Sequence, residues 1–328
     1  MDRVGRQYKH TAISNQQSAI SILLTMTHNQ TRISLQDWHA AGQYFMHQGH
    51  PIFYRVGGAP DSPALLLIHG FPTASWDWEA IWPDMCRQYR VYTLDMIGFG
   101  FSAKPVDYTY TLKDQADIFE AFLRQQNVTA YHALAHDYGD TVAQELLARQ
   151  SEHGMRPQLL SLALLNGGLF PETHRPLITQ RLLLSPLGPL LAKLTTKKKF
   201  AASMQHIFGR GSQPDTVLID AFWSLLQFND GTRVLPKLIR YMLERRTLRA
   251  RWVGALQTTT IPLKLIDGAA DPISGAHMVE RYRELVPNPD VTLLDDIGHY
   301  PQCEAPQAVL AAYLEFRSRT AVASHSST

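Results

Sequence analysis

The chain has 328 residues, of which 45% are hydrophobic and 18% charged, with a formal net charge of +2. That balance fits a soluble globular protein of one or two domains and lacks the broad basic field that nucleic-acid binding requires, so no nucleic acid is expected as a partner. Two cysteines, Cys86 and Cys303, exclude a disulfide framework, and neither they nor the histidines show metal-ligand spacing, so no metal and no cofactor are expected.

The first 34 residues are mostly polar and read as a flexible N-terminal extension. Ala19 to Met26 is apolar but far short of the roughly 18 to 20 residues that span a bilayer. Polar residues separate it from Arg3, Arg6 and Lys9, and no small-residue cleavage pattern follows, so a secretory signal is not expected. A cytoplasmic location is therefore expected, and membrane association is not.

From Gln43 the pattern changes. Gln43 to His47 and His50 to Val56 read as a hairpin joined by Gln48-Gly49, and Pro51, which has no N–H for a ladder, belongs at an edge or at the start of its strand. Apolar runs then alternate with helical patterns. Strands are predicted over 64–69, 89–95, 130–137, 159–166, 263–267 and 291–294, and helices over 76–85, 112–126, 141–150, 275–285 and 305–317. The alternation predicts an α/β fold with a mostly parallel sheet flanked by helices. Between Gly167 and Trp252 no strand pattern occurs, and prolines punctuate helical stretches. Residues 167–252 are thus expected to form a helical cap inserted between two strands of a core comprising 35–166 and 253–318, with 319–328 a flexible tail.

Parallel sheets bind ligands beyond the carboxyl ends of their strands, and the reactive residues of this chain gather there. One strand end carries His69-Gly70-Phe71-Pro72, whose glycine lets an amide turn toward a substrate oxygen. A second carries Asp95 and a glycine-rich turn whose spacing does not complete a dinucleotide fingerprint. A third, His136-Asp137-Tyr138-Gly139-Asp140, reads equally as a nucleophile elbow with aspartate at its tip or as a helix capped by Asp137. Asp271 and His299 follow in the order acid, then histidine, each past a strand end, and this favours catalysis; Asp95 and Asp296 are weaker candidates for the acid. Basic clusters at 197–199 and across Arg245, Arg246, Arg249 and Arg251 read as solvated helix faces.

These motifs and their order resemble the α/β-hydrolases with an aspartate nucleophile, the group of epoxide hydrolases and haloalkane dehalogenases. The similarity covers about residues 35 to 318. Stretches 136–140, 166–176 and 251–256 carry a closer match to one branch of that group. The resemblance implies an α/β-hydrolase fold and a covalent alkyl-enzyme ester on Asp137, hydrolysed by water that His299 activates while Asp271 orients the imidazole. Backbone amides of Phe71 and Tyr138, near His69 and Gly70, would hold the oxyanion. Tyr241 matches one of the cap tyrosines with which epoxide hydrolases protonate the opening ring, but it is the single tyrosine between Gly167 and Trp252. The second donor is missing, with Tyr138 or His174 as substitutes.

The expected function is therefore epoxide hydrolysis to a diol, on a small apolar substrate. The alternative is haloalkane dehalogenation, for which Phe71 and Tyr138 stand where that family places asparagine and tryptophan, and Trp223 is the one cap donor left. A haloacid substrate fits less well, since Tyr138 stands where an arginine would be needed. A rival of another class is a catalytically silent ligand-binding protein of the same fold.

Overall fold

The computed structural model describes residues 32–154 and 157–325, and every element below belongs to the unit Ser34–Thr328. The extension expected over the first 34 residues lies, as far as residue 31, outside the described residues, as do the last three of the expected tail. Eight strands form a single sheet: β1 (Gln43–His47), β2 (His50–Gly57), β3 (Ala64–Ile68), β4 (Arg90–Leu94), β5 (Ala130–His136), β6 (Gln158–Leu165), β7 (Leu263–Gly268) and β8 (Val291–Leu294). Their order is β1-β2-β4-β3-β5-β6-β7-β8, with the β1–β2 and β2–β4 pairings antiparallel and the others parallel. This is the mostly parallel sheet flanked by helices that the alternation predicted, in the α/β-hydrolase fold that the resemblance implied. Its central strands are near-continuous apolar runs because both faces are covered.

Pro51 sits at the start of β2, opposite Met46 of β1, whereas β2 meets β4 only from Tyr54 onward. Its missing N–H therefore costs no bond to β4. The helices are α1 (Leu35–Ala40), α2 (Trp82–Gln88), α3 (Leu112–Gln125), α4 (Tyr138–His153), α5 (Ile178–Leu184), α6 (Gly188–Lys193), α7 (Lys197–Ile207), α8 (Thr216–Gln227), α9 (Leu235–Leu238), α10 (Tyr241–Thr247), α11 (Arg249–Thr258), α12 (Ala276–Leu285), α13 (Pro301–Glu304) and α14 (Pro306–His325).

Three helices depart most from the sequence reading. The helix expected over 76–85 is a 3₁₀ turn, Ser75–Trp78, followed by α2, because Pro83 lacks an N–H and fits only a first helical turn. Helix α1 went unread because six residues with one buried side chain give no periodicity. Its Ser34 cap accepts a bond from Asp37 N, and Trp38 packs edge-on against Trp82 at 5.0 Å. The last helix runs to His325, past the expected end at Arg317.

Between β6 and β7 the chain is entirely non-strand, with α5 to α11 following one another. The expected limit at 252/253 falls inside α11, which packs against α4 and sends Trp252 Nε1 to Glu145 at 2.7 Å. Helix α4 in turn packs on β3, β5 and β6. Gly139 makes that approach possible, since a Cβ there would lie 2.5 Å from the carbonyl oxygen of His69.

Candidate active site

Strand β5 ends at His136 and α4 begins at Tyr138, so Asp137 alone must turn the chain. It does so at φ 49°, ψ −108°, a backbone conformation costly for a non-glycine residue. Its carboxylate makes no cap bond to the helix it precedes, so Asp137 is not merely a helix cap. The side chain is instead 3% exposed and faces the sheet end, where Phe71 N donates to Oδ2 at 3.1 Å. Gly70 allows this meeting of β3 and the elbow, because a Cβ at that position would stand 2.6 Å from His136 Nδ1 and 3.0 Å from Asp137 Cβ. Tyr138 is the first residue of α4, and the N–H of a first helical residue has no intrahelical acceptor.

His299, beyond β8, is held from several sides. His136 Nε2 donates to its carbonyl at 2.7 Å, and its own N–H donates to Ile207 O at 2.8 Å. Its Nδ1 lies 2.7 Å from Asp271 Oδ2, and its Nε2 stands 3.9 Å from Asp137 Oδ1. The latter is too long for a hydrogen bond but close enough for strong attraction between charges in a buried site.

Burial pulls the imidazole toward neutrality, yet the carboxylates of Asp271 and Asp137 hold its pKa well above the usual histidine value. Burial likewise opposes ionisation of Asp137, but His299 and Arg245 hold its carboxyl well below the usual range. Asp271 also stays low despite burial, through His299, Ile273 N and Asn166.

Asp271 is immobilised by a network that sequence reasoning missed. Asn166, at the end of β6, donates to Asp271 Oδ2 at 3.1 Å and accepts from Gly268 N at 2.8 Å. Ser274 Oγ lies 2.9 Å from the same oxygen, and Ile273 N donates to Oδ1 at 2.7 Å. The rival acids stand elsewhere. Asp95 accepts from Ser75 N and Phe101 N and so fixes the glycine-rich turn, while Asp296 is exposed to solvent.

His69 has a supporting place. Its Nδ1–H faces Gly70 O at 2.8 Å and its Nε2 accepts from Met96 N at 3.0 Å. Both ring nitrogens are used, and burial lowers its pKa to about 3, so it stays neutral.

Tyr241 opens α10 with its ring 4.9 Å from that of Tyr138 and 5.9 Å from Phe71. The hydroxyl is buried and has no hydrogen-bond partner. Burial and the charge of Asp137 both raise its pKa. Of the two substitutes for a second donor, Tyr138 has its pKa raised well above the usual value by burial and by Glu244. His174 is the other. Both its ring nitrogens are buried without a partner, and burial and Arg245 lower its pKa to about 3, leaving it neutral.

The largest departure from the sequence reading is Arg245, taken there as part of a solvated basic face. It is 2% exposed. The guanidinium lies 3.7 Å from Asp137 Oδ1, Nε donates to Thr141 Oγ1 at 2.9 Å, and the group stacks 4.5 Å over the ring of Tyr241. Nor is Arg251 a free surface cation, since it pairs with Glu145 and Glu152. The missed signal was spacing: Tyr241 and Arg245 are four apart and share one helix face. Replacing Arg245 by leucine removes one of the two basic groups that face the buried Asp137 charge. The urea unfolding midpoint is expected to fall by an amount corresponding to about 3 kcal/mol; an unchanged midpoint would mean that the pair adds nothing to folding.

A cavity of about 310 Å³ reaches His299 and Phe71 from between the inserted helices, with mostly leucine, phenylalanine and isoleucine along its walls. That volume suits a small molecule.

The sequence model of one family, described as the alpha/beta hydrolase fold, matches residues 63–306. The chain is 42% identical over 294 residues to a mesoderm-specific transcript homolog protein of Bos taurus, covering 86% of this chain and 88% of that one. Among solved structures, the DbeA-M1 loop variant of a haloalkane dehalogenase from Bradyrhizobium elkanii superposes with a TM-score of 0.74 at 22% identity, over 88% of this chain and 99% of that one. The epoxide hydrolase CorEH superposes with a TM-score of 0.71 at 17% identity, over 85% and 99%. At these identities the two structures establish a shared fold.

Proposed function

The chain belongs to the alpha/beta hydrolase fold family, and from that membership we propose that it hydrolyses epoxides to diols through an ester on Asp137. The observation that carries this reading is the conjunction at one buried carboxylate: Phe71 N on Oδ2, His299 Nε2 at 3.9 Å from Oδ1, and Asp271 behind the imidazole.

In the first step an Asp137 oxygen attacks a ring carbon, the ring C–O bond breaks, and the Tyr241 hydroxyl gives its proton to the departing oxygen. A serine at position 137 would leave an ether, which water does not readily cleave; aspartate leaves an ester. In the second step His299 takes a proton from water, and the hydroxide adds to the ester carbonyl. The oxyanion so formed is held by the amides of Phe71 and Tyr138. Collapse breaks the bond to the alkyl oxygen, which leaves with the proton from His299. The regenerated Asp137 acid gives its proton back to the Tyr241 phenolate, closing the cycle as epoxide plus water to diol.

The same geometry favours this substrate class over a haloalkane. A halide needs N–H donors, and the Trp223 ring packs against Phe200 at 5.7 Å rather than against Asp137 or His299. The unpartnered Tyr241 hydroxyl is an acid suited to an alkoxide. Tyr241→Phe keeps the ring packing and removes that acid, so kcat/KM on an epoxide is expected to fall by about 10² or more. Turnover within twofold of the unsubstituted protein would remove Tyr241 from the mechanism, and halide release from haloalkanes would favour the dehalogenase reading. Tight binding of ligands with no turnover of either class would favour the binding-protein reading.

A further inference from the structure

The helices that wall the cavity turn apolar side chains outward as well. Ile178 is 75% exposed, Leu187 61%, Leu190 56% and Leu194 54%. Single exposed leucines are ordinary, but four large side chains within residues 178–194, on the packed pair α5 and α6, make a patch that water solvates poorly. Along the sequence the flanking charge is one-sided, although Lys197 pairs in space with Asp220 of α8. From Thr173 to Pro214 the sequence has seven lysines and arginines and no aspartate or glutamate, although the chain as a whole is nearly balanced. Arg181, Lys193 and Lys198 stand exposed beside the apolar residues. Leu182 and Leu194 are exposed on the outside and also line the cavity that ends at His299, so the patch is continuous with the way in.

We propose that α5, α6 and the start of α7 form a docking face for an anionic lipid surface, from which an apolar molecule enters the cavity. Leucines at the headgroup boundary with lysines against lipid phosphates are the pattern of a helix pair lying in a membrane interface. Among the described residues no helix is long and apolar enough to cross a membrane, so the attachment is peripheral. A second copy of the chain is the other occupant an apolar face admits, but it would bring two cationic stretches together, which repulsion disfavours. The proposal departs from the sequence expectations of a simply solvated lysine cluster and of no membrane association.

The test is sedimentation of the full chain with vesicles of phosphatidylcholine alone and of phosphatidylcholine mixed with phosphatidylglycerol, at low and high salt. Binding is expected to the mixed vesicles and to weaken with salt. Lys193→Gln with Lys198→Gln should lower the partition coefficient more than tenfold, at about fivefold per cation. Leu187→Ser with Leu190→Ser should also abolish pelleting, and unchanged far-UV circular dichroism checks that these surface variants fold. Three results would each overturn the proposal: no pelleting with mixed vesicles, equal salt-insensitive pelleting with phosphatidylcholine alone, or a concentration-dependent dimer that the leucine changes dissolve. Each reads binding rather than turnover, so its failure leaves the hydrolase reading standing.

Discussion

Asp137→Ala is expected to reduce epoxide turnover by on the order of 10⁴-fold or more, to the limit of detection, while the chain still folds. The size follows from the role: the carboxylate is the atom donor for the first bond, and no neighbour can replace it. Arg245 is a cation and His299 the base of the second step, neither of them a nucleophile, and the Asp271 carboxylate is occupied by His299, Asn166, Ser274 and Ile273. Asp137→Asn is the more discriminating variant, because asparagine tolerates the positive φ of 49° and still accepts the Phe71 N–H. It should fold and bind substrate with no turnover. Activity retained in either variant, measured with freshly purified protein, would contradict covalent catalysis at this residue.

His299→Ala should separate the two half-reactions. Ring opening needs Asp137 and Tyr241 and so should survive, whereas hydrolysis of the ester loses its base. The expected course is consumption of one equivalent of epoxide per protein, then arrest, with the steady-state rate down by about 10³ or more. Electrostatics assign His299 to the second step. In the resting protein two carboxylates hold its pKa well above the usual value despite burial, which favours the protonated ring over the base. Once Asp137 is an ester, one of those charges is gone. The pKa of His299 then falls, so the ring releases its proton to solvent and is free to take one from the attacking water. Arrest after one turnover is therefore the expected signature; continued turnover would mean that another group activates water.

Much of this was legible in the sequence because local chemistry and position agree there. Apolar runs of five to eight residues ending in His69, Asp95 or Asp137 are recognisable strands, and small residues at Gly70 and Gly139 are required by contacts that any side chain would block. The order of Asp137, Asp271 and His299 along the chain foreshadowed their approach to one another. What stayed hidden depends on which way a side chain points. Arg245 sits among Arg246, Arg249 and Arg251, and composition cannot tell the one buried member from the rest; only its four-residue spacing from Tyr241 carried that information. Asn166 was read as the end of a strand, since nothing local reveals that its amide bridges to a loop 105 residues onward. Short elements were lost for lack of a period, as with α1, or misplaced by overlooking one proline, as with α2.

The measurement closest to the central claim is the intact mass of His299→Ala after incubation with a panel of epoxides and haloalkanes, followed by mapping of the modified residue. The account expects an adduct equal to the mass of the whole epoxide, carried by Asp137. An alkyl adduct with loss of halide, and none from any epoxide, would transfer the claim to dehalogenation. No adduct on Asp137 from any compound, in a protein that folds and binds ligand, would contradict the covalent mechanism altogether.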